Sequence, residues 1–196
     1  RSTFHYRFEL TPGNRYSLTQ AFDYNDINAH PSEIMVGLGW DTCCDLDASI
    51  LQVCENGQQI EPICYFNESN KDHSIYTTGD NLTGDAVGDD EKIFINLEKV
   101  ESSIKFLAVV ITSFSVVPFS EIKGAFCRIV DNKSKKEVMY LNLSKKEKFT
   151  GLLFAILGRI DGVWDMWPCL KFFNGSTPSD AQKFLDDFLK EGEIEQ

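Results

Sequence analysis

The stretch Gly151-Leu-Leu-Phe-Ala-Ile-Leu-Gly-Arg-Ile160-Asp161-Gly162-Val163-Trp-Asp-Met-Trp-Pro-Cys169 decides the fold class. Two apolar runs, Gly151–Ile160 and Val163–Cys169, are separated only by Asp161-Gly162. An Asp-Gly pair supplies the two positive-φ residues that a tight hairpin turn needs, so the runs are read as antiparallel strands. Working outward, further short segments rich in β-branched and aromatic residues are read as strands. They are Thr3–Glu9, Glu33–Leu38, Ala48–Cys54, Ile63–Phe66, Ile75–Thr78, Glu91–Asn96, Phe106–Phe114, Ala125–Asp131 and Glu137–Asn142. Turn residues such as Asn56-Gly57 and Asp131-Asn132-Lys133-Ser134 divide them. About ten short strands at this spacing predict an all-β protein, a two-sheet β-sandwich.

Helical signals are few. Val100–Ile104 is expected to form one helical turn and Pro118–Lys123 an irregular crossing. The tail is clearer: Thr177-Pro178-Ser179-Asp180 reads as a capped helix start. Ala181, Phe184, Leu185, Phe188 and Leu189 then recur at helical spacing. The division expected is a sandwich domain over residues 1–175 and a helical tail over 176–196. The tail is read as covering its own sandwich, with docking onto another protein as the alternative. Trp167, Phe172 and Phe173 are read as core, again with a docking patch as the alternative.

The 196 residues suffice for one domain with a substantial core, and 42% are hydrophobic. The net charge of −11 is unevenly placed: residues 1–100 hold 17 acidic and 6 basic side chains, and the remainder hold 13 of each. This balance argues against nucleic acid or an anionic membrane as the main partner and favours cations or proteins. No apolar run approaches the roughly 20 residues of a membrane span, so peripheral association is the only membrane role expected. The six cysteines show no CxxC pair and mostly sit in apolar runs, which predicts reduced thiols in an intracellular protein. A cytoplasmic location is expected, with an organellar one, after removal of a targeting segment, as the alternative.

The acidic excess peaks between Asp80 and Glu91, where five of twelve residues are Asp or Glu and two are Gly. Carboxylates this close repel one another, and glycines let the chain curl them around a shared partner. Hard oxygen donors in irregular geometry suit Ca²⁺. Zinc prefers His and thiolate, which this segment lacks. A second acidic element, Asp45-Leu46-Asp47, sits where a strand begins, and alternation aims both carboxylates to one face. The spacing is not that of an EF-hand.

These segments are similar to the TerD family of tellurite-resistance and stress proteins. The resemblance is carried by Val36-Gly37-Leu38-Gly39-Trp40-Asp41, Asp45-Leu46-Asp47-Ala48, Gly79-Asp80-Asn81-Leu82-Thr83-Gly84 and Gly88-Asp89-Asp90-Glu91. Weaker echoes follow at Ala125–Asp131, which holds an arginine, and at Gly158-Arg159 with Trp164. The match runs from about Pro12 to Trp167. The resemblance implies a β-sandwich holding one or two Ca²⁺ ions, a part in stress responses and in membrane-linked or multiprotein assemblies, and no catalysis. Carried over by motif, the expected ligands are Asp45, Asp47, Asp80, Asn81, Asp85, Asp89, Asp90 and Glu91, with a carbonyl from Gly84 or Gly88. Asp41 is a candidate behind the ligands, and Trp40 is expected to pack beneath the site. Two departures from the family pattern bear on the second ion. Cys43-Cys44 fills a shortened connection, and Asp85-Ala86-Val87 stands where relatives carry a glycine and a further acid.

Three functions compete. The first is a non-catalytic calcium-binding module acting through protein partners. The runner-up is a structural or accessory subunit of a larger assembly that retains the fold. The third, a divalent-metal-dependent hydrolase, lacks a recognisable base, nucleophile or phosphate loop. His5, His30 and His73 share no motif, and Asp72-His73-Ser74 are neighbours in sequence, which is not triad geometry.

Overall fold

The computed structural model describes residues 4–6, 10–41, 44–78, 88–145 and 148–194. Two antiparallel sheets face each other. The first, sheet A, runs in the order β1 (Phe4–Tyr6), β10 (Glu137–Asn142), β9 (Phe126–Asp131), β3 (Glu33–Gly39), β7 (Glu91–Asn96) and β6 (Ile75–Thr77). Sheet B runs β2 (Tyr16–Ser17), β12 (Val163–Phe173), β11 (Gly151–Ile160), β8 (Ile104–Ser113), β4 (Leu46–Cys54) and β5 (Gln59–Ile63). The sandwich expected from the strand spacing is the observed architecture. β11 and β12 pair from Ile160↔Val163 back to Gly151↔Phe173. Asp161 and Gly162, which form their turn, have φ of 50° and 77°, as a two-residue hairpin turn requires.

Alternation builds the core. Val36 and Leu38 of β3, Leu46, Ala48 and Ile50 of β4, and Ile93 and Ile95 of β7 all enter the cluster between the sheets. Residues of opposite parity on sheet B, Leu51, Val53, Ala108, Val110, Ile156 and Trp167, form a second cluster on its outer face. Helix α2 (Gln182–Ile194), entered through a 3₁₀ turn at Pro178–Ala181, covers that cluster. Ala181 and Leu185 are buried there, and Phe184, Phe188 and Leu189 pack against them. Thr177 and Asp180 form the expected capping box. The apolar face of the tail packs on its own sheet, as the first of the two expected roles has it. Trp167 and Phe173 are likewise core, while the Phe172 ring lies tilted against Phe149.

Some boundaries differ from the sequence reading. Val100–Ile104 forms a turn leading directly into β8, with no helical segment. The strand expected at Ile63–Phe66 lies earlier, at Gln59–Ile63. It is a sheet edge, where polar residues and Pro62 are tolerated because one side of the strand needs no partner. The Pro118–Lys123 crossing contains a short 3₁₀ turn at Phe119–Glu121. Helix α1 (Leu18–Ala21), capped reciprocally by Ser17 and Gln20, had no counterpart in the sequence reading. Cys44, Cys54, Cys64, Cys127 and Cys169 carry free thiols. No helix among the described residues is long and apolar enough to cross a membrane.

Candidate metal centre

Four strand ends meet at one pole of the sandwich. β3 finishes opposite the start of β7, with Leu38 paired to Glu91, and β4 starts opposite the end of β8, with Leu46 paired to Ser113. The pairs belong to different sheets, and the Glu91 side chain joins them. Glu91 has the parity of Ile93 and Ile95, so it points into the sandwich and is only 4% exposed. Its Oε2 accepts the Ala48 N–H at 3.2 Å, at a point on β4 before its pairing with β5 begins at Ile50. The two acidic stretches, 43 residues apart, are thus brought together at this pole.

Each described candidate has a definite place. Asp45 and Asp47 have the parity opposite to Leu46 and Ala48, so they lie toward the outer face of sheet B. Asp47 is 2% exposed. The Asp45 N–H donates to Ser115 Oγ at 3.0 Å, and its carbonyl accepts the Phe114 N–H at 2.9 Å. Asp90 closes the end of β3: its N–H donates to the Leu38 carbonyl at 2.8 Å, and its Oδ2 accepts the Trp40 N–H at 2.9 Å. Trp40, expected to pack beneath the site, is buried. Asp80, Asn81, Gly84 and Asp85 lie outside the described residues.

Asp89 lies elsewhere. Its carboxylate rests on the outer face of sheet A, where a Cβ on Gly37 would come within 2.3 Å of Oδ1. Arg128, paired with Gly37 across β3 and β9, grips both oxygens: Nε lies 3.0 Å from Oδ1 and Nη2 2.5 Å from Oδ2. The Arg128 Nη1 also reaches Glu137 at 3.4 Å. Hydrogen bonding to Asp89 raises the Arg128 guanidinium above its ordinary range, against the opposing effect of burial. Gly88 follows the same route, its carbonyl oxygen 2.6 Å from where a Gly39 Cβ would stand. The two glycines of β3 therefore leave room for the chain to return across the sheet. The arginine-bearing strand was noticed in the sequence, but its role as a clamp was not. No spacing rule links residues 89 and 128.

The described acids thus form three groups: Asp45 and Asp47 on one sheet's outer face, Asp90 and Glu91 at the pole, and Asp89 on the other sheet. Among the described residues no three or more His, Cys, Asp or Glu side chains are gathered to hold a metal ion. The donor chemistry at the pole is hard oxygen, which suits Ca²⁺. Cys64, the thiol influenced by Asp47, is pushed upward by burial first and by the Asp47 and Glu61 charges in addition. On the same face as Asp47 stand two residues the sequence reading passed over, Ser49 and Thr112, both fully buried. Strand parity alone would have placed Ser49 beside Asp47. The sequence Asp72-His73-Ser74 forms a turn in which Asp72 accepts the Ser74 N–H, and His73 lies against Ser69 and Tyr76.

Comparison with known proteins agrees with this architecture. The TerD domain model matches residues 7–176. The stress response protein SCP2 of Bacillus subtilis (strain 168) is 34% identical, covering 92% of this chain and 98% of its own length. Tellurium resistance protein TerD of Serratia marcescens is 34% identical over 76% of this chain and 85% of its own. Tellurium resistance protein TerZ of the same organism is 32% identical over 68% and 77%. The crystal structure of a homologue of telluride resistance protein (TerD) from Streptomyces coelicolor A3(2) superposes with a TM-score of 0.69. It covers 77% of this chain and 95% of that one and, at 16% identity, speaks to the fold alone. On the extent of the domain match and the identity to these relatives, the chain belongs to the TerD domain family.

Proposed function

We propose that the chain is a non-catalytic calcium-binding module of the stress response, working inside the cell through protein partners. The observation that carries the reading is the Ala48–Glu91 hydrogen bond. It ties the buried Glu91 carboxylate to the start of strand β4, the strand that carries Asp45 and Asp47, so that carboxylates from two distant stretches lie at neighbouring places on one pole. Asp45 and Asp47 would serve one ion, and Asp90 and Glu91 a second, with Asp80, Asn81, Asp85 and the Gly88 carbonyl completing the shells. Asp89, already held by Arg128, fixes the end of the loop. Bound Ca²⁺ would supply the positive charge that offsets these carboxylates. Trp40 and Ala48 orient Asp90 and Glu91 through their backbone N–H groups.

Binding to the folded state alone stabilises it by about 2.7 kcal/mol at a hundredfold excess over Kd. For a domain of this size that raises Tm by about 5–10 °C. Melting in EGTA, Ca²⁺ and Mg²⁺ tests the proposal: Ca²⁺ should raise Tm by this amount and Mg²⁺ by much less. Identical curves in EGTA and Ca²⁺ would refute it.

A second reading, an accessory subunit of an assembly, draws on an exposed aromatic rim at the same pole. Tyr65, Phe66, Phe114 and Phe149 are exposed, and Tyr65 contacts both Phe66 and Phe114. Phe66→Ser and Phe114→Ser together should then abolish co-elution with native partners while leaving Ca²⁺ titrations unchanged.

A further inference from the structure

We infer that Ser49 and Thr112 belong to the ion site at Asp47, as neutral oxygen donors on the outer face of sheet B. The inference rests on the calcium reading above and adds to it two residues that the family motif did not supply. Thr112 faces Asp47 directly across the β4–β8 pair, and Ser49 follows Asp47 by two residues on the same strand. All three therefore share one face of the sheet.

Both hydroxyls are fully buried, and among the described residues neither Ser49 Oγ nor Thr112 Oγ1 has a hydrogen-bond partner. A buried hydroxyl left unmatched is costly, and native interiors seldom keep one without a bound water or ion. Further along the same face the side chains turn wholly apolar, at Leu51 and Val53 on β4 and at Val110 and Ala108 on β8. An Ala or Val would satisfy packing at positions 49 and 112 as it does there. On β4 and β8 the buried polar side chains of this face stand at the end that carries Asp45 and Asp47.

The corner is also closed from solvent. The 3₁₀ turn Pro178–Ala181 packs over β4, β8 and β11. Beside it the Gly175 N–H donates to Thr150 Oγ1 at 2.8 Å. Inside a closed corner, bulk water cannot complete the shell of a hard cation, which takes six to eight oxygens. Hydroxyls extend the donor set without adding a charge that repels Asp47. They do so directly or by holding a coordinated water.

Calorimetric titration of the full chain with CaCl₂ tests this, alongside melting in EGTA. Thr112→Val keeps the shape and removes the hydroxyl, Thr112→Ser keeps the hydroxyl, and Ser49→Ala removes the other one. Thr112→Val and Ser49→Ala should each weaken Ca²⁺ binding about tenfold, and Thr112→Ser should stay within about threefold of wild type. In EGTA, Thr112→Val should melt no lower than wild type, because a methyl replaces an unmatched hydroxyl. Should Thr112→Val fail to fold, Ser49→Ala and Thr112→Ser decide. Wild-type affinity in both hydroxyl-free variants overturns the inference while leaving the calcium reading standing. A wild-type chain that shows neither a heat of binding nor a Tm shift overturns both.

Discussion

Substituting Gly37 by Ala places a methyl where the Asp89 carboxylate now rests. The added Cβ would lie 2.3 Å from Oδ1, 2.7 Å from Cγ and 3.0 Å from Oδ2. Asp89 has a short side chain and must swing away, taking its oxygens from Arg128. The side chain of Asp89 is 2% exposed and that of Arg128 28%, so the pair is neither fully buried nor a surface pair. Breaking fully buried pairs costs about 3–5 kcal/mol and exposed ones contribute at most about 1. After allowance for the solvent reaching Arg128, a loss of about 2 kcal/mol is expected. In a domain of this size that is a fall in Tm of about 4–8 °C. Urea denaturation of Gly37→Ala, Arg128→Gln and the double variant closes a thermodynamic cycle. Gly37→Ala should cost about 2 kcal/mol in the wild-type background and less than about 0.7 once Arg128 is gone. Equal costs in both backgrounds would refute the claim that the glycine is there to seat the ion pair.

Leu185 is fully buried where α2 meets the outer face of sheet B, so Leu185→Ala should cost about 2–5 kcal/mol by urea denaturation. The same variant should bind a hydrophobic dye more strongly, because Trp167 and Phe173 lose their cover. Asp131 gives a pH-dependent test. Burial pushes its carboxyl up, but the Tyr24 hydroxyl and the Lys133 and Ser134 N–H groups outweigh that and hold it below the ordinary range. A lowered folded value means the stabilisation is full above the unfolded pKa and lost as pH falls through the folded one. Asp131→Asn should therefore be less stable at neutral pH and show a shallower loss of stability in acid unfolding as pH falls through and below the ordinary carboxylate range.

Where a residue pattern depends only on near neighbours, the sequence was legible. The Asp161-Gly162 hairpin, the Thr177-to-Asp180 cap and the parity of Leu46 against Asp45 and Asp47 follow from local rules, and the structure has them all. β5 was misplaced because Ile63-Cys64-Tyr65-Phe66 is greasier than Gln59–Ile63, an edge strand that is mostly exposed and buries only Ile63. Tyr65 and Phe66 are in fact exposed. At the candidate site the two acidic stretches were visible, but their distribution over three surfaces was not. Whether Asp89 joins its neighbours or turns to Arg128 depends on the space above Gly37. That space exists only once β3 and β9 are paired. The Ala48–Glu91 bond is likewise a product of two sheets closing on each other.

The chain belongs to the TerD domain family, whose relatives are named stress response and tellurium resistance proteins, and the proposed calcium chemistry lies at the pole of the sandwich. Crystals grown in CaCl₂ and measured at a long X-ray wavelength would test the calcium claim most directly. Anomalous peaks are predicted beside Asp45 and Asp47 and beside Asp90 and Glu91, with oxygen contacts at about 2.3–2.6 Å. Maps with no anomalous signal at either place, and with those carboxylates bonded only to protein and water, would contradict it.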